Sequence, residues 1–127
     1  MRLRNVPGAR EVMIENEYVF TEPEGMKGTW SQVFGNDNPI RIEIGMGKGT
    51  FITTLAANNP DINYVGIEKY SSVLLRAVEK QDELQLPNLR FIRMDAEAIC
   101  EVFGEGEVDR ICLLYTSPSP RDTERSR

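Results

Sequence analysis

Between Glu43 and Gly49 the chain reads Glu-Ile-Gly-Met-Gly-Lys-Gly, three glycines at alternate positions behind an acid. Such a loop lets backbone pass close to a ligand, because glycine has no Cβ in the way and tolerates positive φ. Two phosphate-binding patterns fail on particular residues. With Lys48 as its lysine, a GxxxxGK[ST] loop needs a glycine at Ile42 and Ser or Thr at Gly49. A dinucleotide loop, GxGxxG, needs its third glycine at Thr50. Two readings of E-x-G-x-G-x-G stay open, a ligand-binding strand–helix turn and a turn that holds nothing. Two further acids favour the first. Glu68 follows the apolar run Ile62–Ile67, where a carboxylate can accept both hydroxyls of a ribose. Asp95 follows Leu89–Met94, where it can accept the exocyclic amino hydrogens of adenine. Singly, each could be a solvated loop residue, and Asp95 a helix N-cap.

The elements that must position these groups follow from periodicity. Ile40–Ile44 alternates apolar and polar and ends in the glycines; Thr50–Ala57 is helical by the spacing of Phe51, Ile52, Leu55 and Ala56. Strands are expected at Ile62–Ile67, Leu89–Met94 and Val108–Tyr115, with helices at Ser71–Gln85 and Ala96–Phe103. Strand starts near residues 40, 62, 89 and 108, separated by helix-sized gaps, predict an α/β fold with a parallel sheet and right-handed crossovers. In that sheet the three acids fall at successive carboxyl ends of strands, where open α/β sheets bind ligands. Residues 1–38 show no clear period and read as an arm and lead-in; residues 39–116 form the domain. Residues 117–127, built from Ser, Pro, Arg, Thr and acids, have no apolar residue to bury and are expected to be disordered.

Composition narrows the function. The chain has 127 residues, enough for one domain, with 28% charged residues and a net charge of −5. Arg2, Arg4 and Arg10 make the first ten residues basic, while the body is acidic and by itself a poor ligand for nucleic acid. These arginines suit a polyanion-gripping arm or a solvated terminus equally. No apolar run approaches the ~20 residues of a membrane span, and no apolar segment follows the basic start, so a cytoplasmic protein is expected. Without histidine or CxxC spacing, Cys100 and Cys112 form no metal motif and are expected to be buried free thiols. Lys48 is expected to face solvent, and Trp30 and Phe34 to pack in the core.

The strand–loop–helix with E-x-G-x-G-x-G resembles motif I of class I methyltransferases. Phe34–Gly49 and Asn59–Glu68, with Met1–Arg4 and Lys27–Trp30, resemble the bacterial tRNA (guanine-N7-)-methyltransferase family over about residues 1–111. The resemblance implies a Rossmann-like methyltransferase sheet of which only the first four strands are present, in the order third, second, first, fourth. It implies S-adenosylmethionine as methyl donor, N7 of a guanine in the tRNA variable loop as acceptor, and tRNA as partner. Glu43, Gly45, Gly47, Glu68 and Asp95 match the cofactor-binding positions, Glu43 facing the positively charged methionine end. No metal is implied.

The resemblance fails beyond the fourth strand. Ser117 stands where the family has its functional aspartate and Ser119 where it has tryptophan, so no catalytic residue is assigned. From about Cys112 the sequence resembles translated adaptor read-through rather than native gene. An inactive, poorly soluble fragment with an exposed fourth-strand edge is the expectation. Two other classes stay in view: a class I methyltransferase with a different substrate, and a non-catalytic cofactor- or RNA-binding module.

Overall fold

The computed structural model describes residues 8–113. Helix α1 (Ala9–Glu15), strand β1 (Val19–Phe20) and helix α2 (Trp30–Phe34) precede a regular alternation. That alternation is β2 (Ile40–Ile44), α3 (Thr50–Asn58), β3 (Asn63–Glu68), α4 (Ser71–Leu84) and β4 (Leu89–Arg93). A 3₁₀ turn (Ala96–Ala98), α5 (Ile99–Val102) and β5 (Arg110–Leu113) follow. The sheet order is β1-β4-β3-β2-β5, with every neighbouring pair parallel.

The expected order of four strands is present as β4-β3-β2-β5, but the described sheet has five strands, correcting the expected count. The additional β1 pairs Val19 with Phe91 and Phe20 with Ile92, and Phe91 N–H donates to Tyr18 O at 2.8 Å. Two residues are too few to show a period. β1 is positioned instead by Asn16, whose Oδ1 accepts the Tyr18 N–H at 2.8 Å while its Nδ2 donates to Asp82 on α4 at 3.0 Å.

All six residues of β3 are buried, as expected of a central parallel strand covered on both faces. Tyr64 on β3, with Leu89 and Phe91 on β4, packs under α1, α3 and α4 through Met13, Ile52, Ala56, Leu74, Ala77 and Val78. Ile42, Val65, Ile67 and Ile92 pack on the opposite face with Trp30, Val102 and Phe103. Trp30 is fully buried as expected, stacked on Phe103 at 4.9 Å and edge-on to Phe20 at 5.4 Å. Its Nε1 donates to Val102 O at 2.9 Å, which satisfies the one polar atom it buries. Phe34 is partly buried against the same cluster, and the Arg90 guanidinium lies 5.4 Å from its ring and from that of Tyr18.

Buried amides fix the turns at the amino ends of the strands. Asn88 Nδ2 donates to Ala56 O, Asn59 O and Ile62 O at 3.0, 3.1 and 2.9 Å, tying the end of α3 to the start of β4. Gln81 Nε2 donates to Leu86 O and Leu89 O, and Gln81 Oε1 accepts the Leu86 N–H.

Both cysteines are exposed, which corrects the expectation of buried thiols. Cys100 sits on the outer side of α5, whose Ile99 and Val102 face the core, and Cys112 lies on the edge strand β5. Residues 114–127, including Ser117, Ser119 and the tail expected to be disordered, lie outside the described residues, as do Arg2 and Arg4. Arg10 is exposed on α1.

Glu107 joins the lead-in to the domain. Its Oε1 accepts the N–H groups of Gly28 and Gly104, each at 2.8 Å, and its Oε2 accepts that of Trp30 at 3.1 Å. Replacing Glu107 with Ala strands three backbone donors and is expected to lower the unfolding free energy by about 1–3 kcal/mol. Chemical denaturation measures this; an unmoved midpoint would dismiss the clamp.

Candidate functional site

β2 is the strand at which the sheet changes direction. The chain moves from β2 to β3 and β4 on one side, and β5 then pairs with the other side of β2. Such switch points open a crevice at the carboxyl ends of the strands. The loop Gly45–Gly49 lies there. Gly45, Gly47 and Gly49 have φ of 74°, 61° and 78°, so the alternate glycines are a run of left-handed positions. The loop is tied to the end of β3. Gly45 N–H and Met46 N–H donate to Ile67 O at 3.0 and 3.4 Å, and Gly47 N–H donates to Glu68 Oε1 at 3.1 Å. Gly49 N–H donates back to Met46 O at 3.1 Å, and α3 starts from Gly49 without a side-chain cap.

The five residues expected to bind a cofactor are distributed as follows. Gly45 and Gly47 form the loop. Glu68 sits beneath it, its second oxygen accepting the Tyr70 N–H at 3.2 Å. A carboxylate oxygen has two acceptor positions, so both oxygens keep capacity for a further donor. Glu43 lies on β2 one residue before the loop's lead-in and is 2% exposed, and neither of its oxygens has a hydrogen-bond partner among the described residues. Burial raises its carboxyl from 4.5 to about 7. Asp95 stands apart at the end of β4. Its Oδ1 accepts the Glu97 N–H at 3.0 Å, the N-cap role that the sequence also allowed, and Oδ2 is 3.6 Å from Lys69 Nζ. Met94 N–H donates to Glu68 O at 3.2 Å, so the carboxyl ends of β3 and β4 are joined.

Lys48 is exposed, as expected. The sequence reading missed four residues that shape this rim. Lys69 pairs with Asp95, and its Nζ lies 5.6 Å from the half-exposed ring of Tyr70. Met46 is buried under the loop, over Gly66 of β3. A glycine inside an apolar strand signals close approach of another group, and that signal was present at Gly66. The open depression of about 320 Å³ lined by Gly28, Ser31, Asp37, Asn38, Glu105 and Glu107 lies at the opposite, amino edge of the sheet. It has no part in this rim.

A parallel α/β sheet with a glycine loop at its switch point and carboxylates at successive strand ends is an architecture of the methyltransferase type. The family described as "Putative methyltransferase" matches residues 37–127. The chain belongs to this methyltransferase family. It is 60% identical over its whole length to a tRNA (guanine-N(7)-)-methyltransferase of Lachnoclostridium phytofermentans, covering 59% of that protein. It spans about three fifths of the length of the curated relatives it matches. In fold, it is similar to a solved antibiotic-related methyltransferase, with a TM-score of 0.60 and 23% identity over 76% of this chain and 53% of that one. A second solved likeness is a Haemonchus contortus phosphoethanolamine N-methyltransferase in complex with S-adenosylhomocysteine. Its TM-score is 0.54, at 16% identity over 85% of this chain and 29% of that one. Among the described residues, no three metal-ligating side chains converge, and no helix is long and apolar enough to cross a membrane.

The Glu43 carboxyl makes stability depend on pH in a definite direction. Between pH 4.5 and about 7 the folded chain keeps a proton that the unfolded chain has released. The contribution of Glu43 therefore falls as pH rises through that window. Glu43→Gln removes it, so the melting temperature of the variant should gain on that of the parent between pH 5 and 8. Parallel melting curves across that range would reject the assignment.

Proposed function

We propose that this protein is a tRNA (guanine-N7-)-methyltransferase that transfers a methyl group from S-adenosylmethionine to N7 of a guanine in the tRNA variable loop, acting in the cytoplasm. The observation that carries the donor is Glu43, a buried carboxyl without a partner among the described residues, beside a glycine loop that is already tied to Glu68. An unpaired buried carboxyl is costly unless a cation or donor completes it, and the methionine end of S-adenosylmethionine offers both. The residues present fit that group: Glu43 for its cationic end, the Gly45–Gly47 backbone for close passage, Glu68 for the ribose hydroxyls and Asp95 for the adenine amino group. When bound, S-adenosylmethionine supplies a methyl group activated by a sulfonium.

N7 of guanine is a lone-pair nucleophile with no proton to lose, so a chain with no histidine needs no general base for this transfer. The task of the protein is to hold donor and acceptor in line. A carboxylate near the acceptor would stabilise the positive charge that the purine gains. The acceptor reading is supported by the relatives, which carry the name of that activity over the full length of this chain. The acidic body leaves polyanion contact to basic positions such as Arg2, Arg4 and Arg10.

The test has two parts, both on the full-length protein. Titration calorimetry should show S-adenosylhomocysteine binding, with Glu68→Ala weakening it on the order of tenfold or more through the lost charged hydrogen bonds. Nucleoside mass spectrometry should then find N7-methylguanosine in tRNA and none in a tRNA whose variable-loop guanine is replaced. Binding without tRNA methylation would assign the protein to another methyltransferase substrate; no binding would remove the methyltransferase reading.

A further inference from the structure

We propose that Met46 is the positioning residue of the glycine loop, a wedge whose thioether fills the space over Gly66 and against Gly49 and so sets the height of the cofactor-binding backbone above the sheet. The proposal rests on the cofactor reading above, and nothing in the motif's glycine spacing requires a methionine at this place. Met46 lies between two glycines in a loop and is nevertheless only 4% exposed, its side chain turned into the cluster with Ile52, Tyr64, Ala77 and Phe91.

The neighbouring glycines show how little room is left. A Cβ built on Gly66 would overlap the Met46 sulfur and would come within 3.1 Å of Ile52 Cδ1 and 3.3 Å of Phe91 Cδ1. A Cβ on Gly49 would lie 3.1 Å from Met46 Cε and 2.5 Å from Ala77 Cβ on α4. The thioether therefore sits between β3 below and the loop's exit at Gly49. The backbone of Met46 is fixed at the same time, its N–H on Ile67 O and its carbonyl on Gly49 N–H. Gly66 is the register partner of Glu43, so the filled space adjoins the strand position that carries the buried carboxyl.

Gly66 and Met46 thus form a size-complementary pair: one lacks a side chain where the other inserts one. Methionine suits the place because three rotatable bonds let it fill an irregular gap without dictating backbone geometry. Its flexible end can also move, so Gly66→Ala is expected to leave the fold intact while displacing Met46 and lifting the loop. Gly49→Ala has no such escape, because Ala77 Cβ is rigid and φ is left-handed.

A size-swap cycle in the full-length protein tests this, read by S-adenosylhomocysteine calorimetry, by melting temperature and by the ligand-free amide NMR shifts of Gly45, Gly47 and Gly49. Met46→Ala and Gly66→Ala should each weaken binding about tenfold and move those amides, whereas Met46→Leu should stay within about threefold of the parent. The double variant Met46→Ala with Gly66→Ala should regain most of the affinity lost by Gly66→Ala alone, because the new methyl enters space that the thioether has left. Additive losses in the double variant, or unmoved loop amides in the single ones, would overturn the wedge. Should Met46→Ala fail to fold, Gly66→Ala combined with Met46→Val supplies the same comparison at nearly conserved total volume. If the parent binds no S-adenosylhomocysteine, the cofactor reading falls, and the ligand-free amide shifts still decide the wedge.

Discussion

The close approach of the glycine loop to the end of β3 is the constraint around which this molecule is arranged. Three consecutive N–H groups of the loop, those of Gly45, Met46 and Gly47, end on one carbonyl and one carboxylate, at Ile67 and Glu68. Satisfying those groups requires backbone at left-handed φ, which is why side chains are excluded at alternate positions. It also requires a register that brings β2 and β3 to a common end, and the parallel pairing from Ile40 with Asn63 to Ile44 with Ile67 supplies it. The buried amides of Asn88 and Gln81, far from the loop, hold the opposite turns at the lengths this register demands.

Glu43 shows what that arrangement costs. A carboxyl with both oxygens dry and unpartnered among the described residues is unfavourable in the folded chain when ionised, and burial keeps it protonated up to about pH 7. Hydrophobic neighbours of similar size would serve stability better at this position. Under the proposed function the carboxyl is retained for a partner that arrives with the ligand, since local rules are broken where function needs it. Glu68 presents the complementary case. It is used structurally by the loop and by Tyr70, and still has acceptor positions to spare.

Much of this was legible in the residues. Alternation in Ile40–Ile44, the helical spacing after Thr50 and the helix-sized gaps between strands fixed a parallel α/β sheet. A parallel sheet then puts Glu43, Glu68 and Asp95 at one edge whatever the details. Other features depended on tertiary contacts that no period encodes. Val19–Phe20 becomes a strand only because Asn16 turns the chain against α4 and β4. Cys112 looks like a core residue inside an apolar run, yet the run belongs to an edge strand. Asp95 kept both of its sequence readings, since an N-cap and a ligand acceptor ask for the same carboxylate in the same place.

The glycines illustrate why a motif can be read while its mechanism is not. Spacing alone identifies Gly45, Gly47 and Gly49 as conformational requirements. It says nothing of the methionine between them, because the need for Met46 arises from a vacancy on another strand. Gly66 looks unremarkable in Tyr64-Val65-Gly66-Ile67 until the loop is folded over it, when its missing side chain becomes the space that the thioether fills. The loop is therefore specified by two sequence segments twenty residues apart, one supplying backbone freedom and the other supplying room. A pattern search along the chain registers the first. Only packing reveals the second, and packing determines how near to the sheet the loop's backbone can lie.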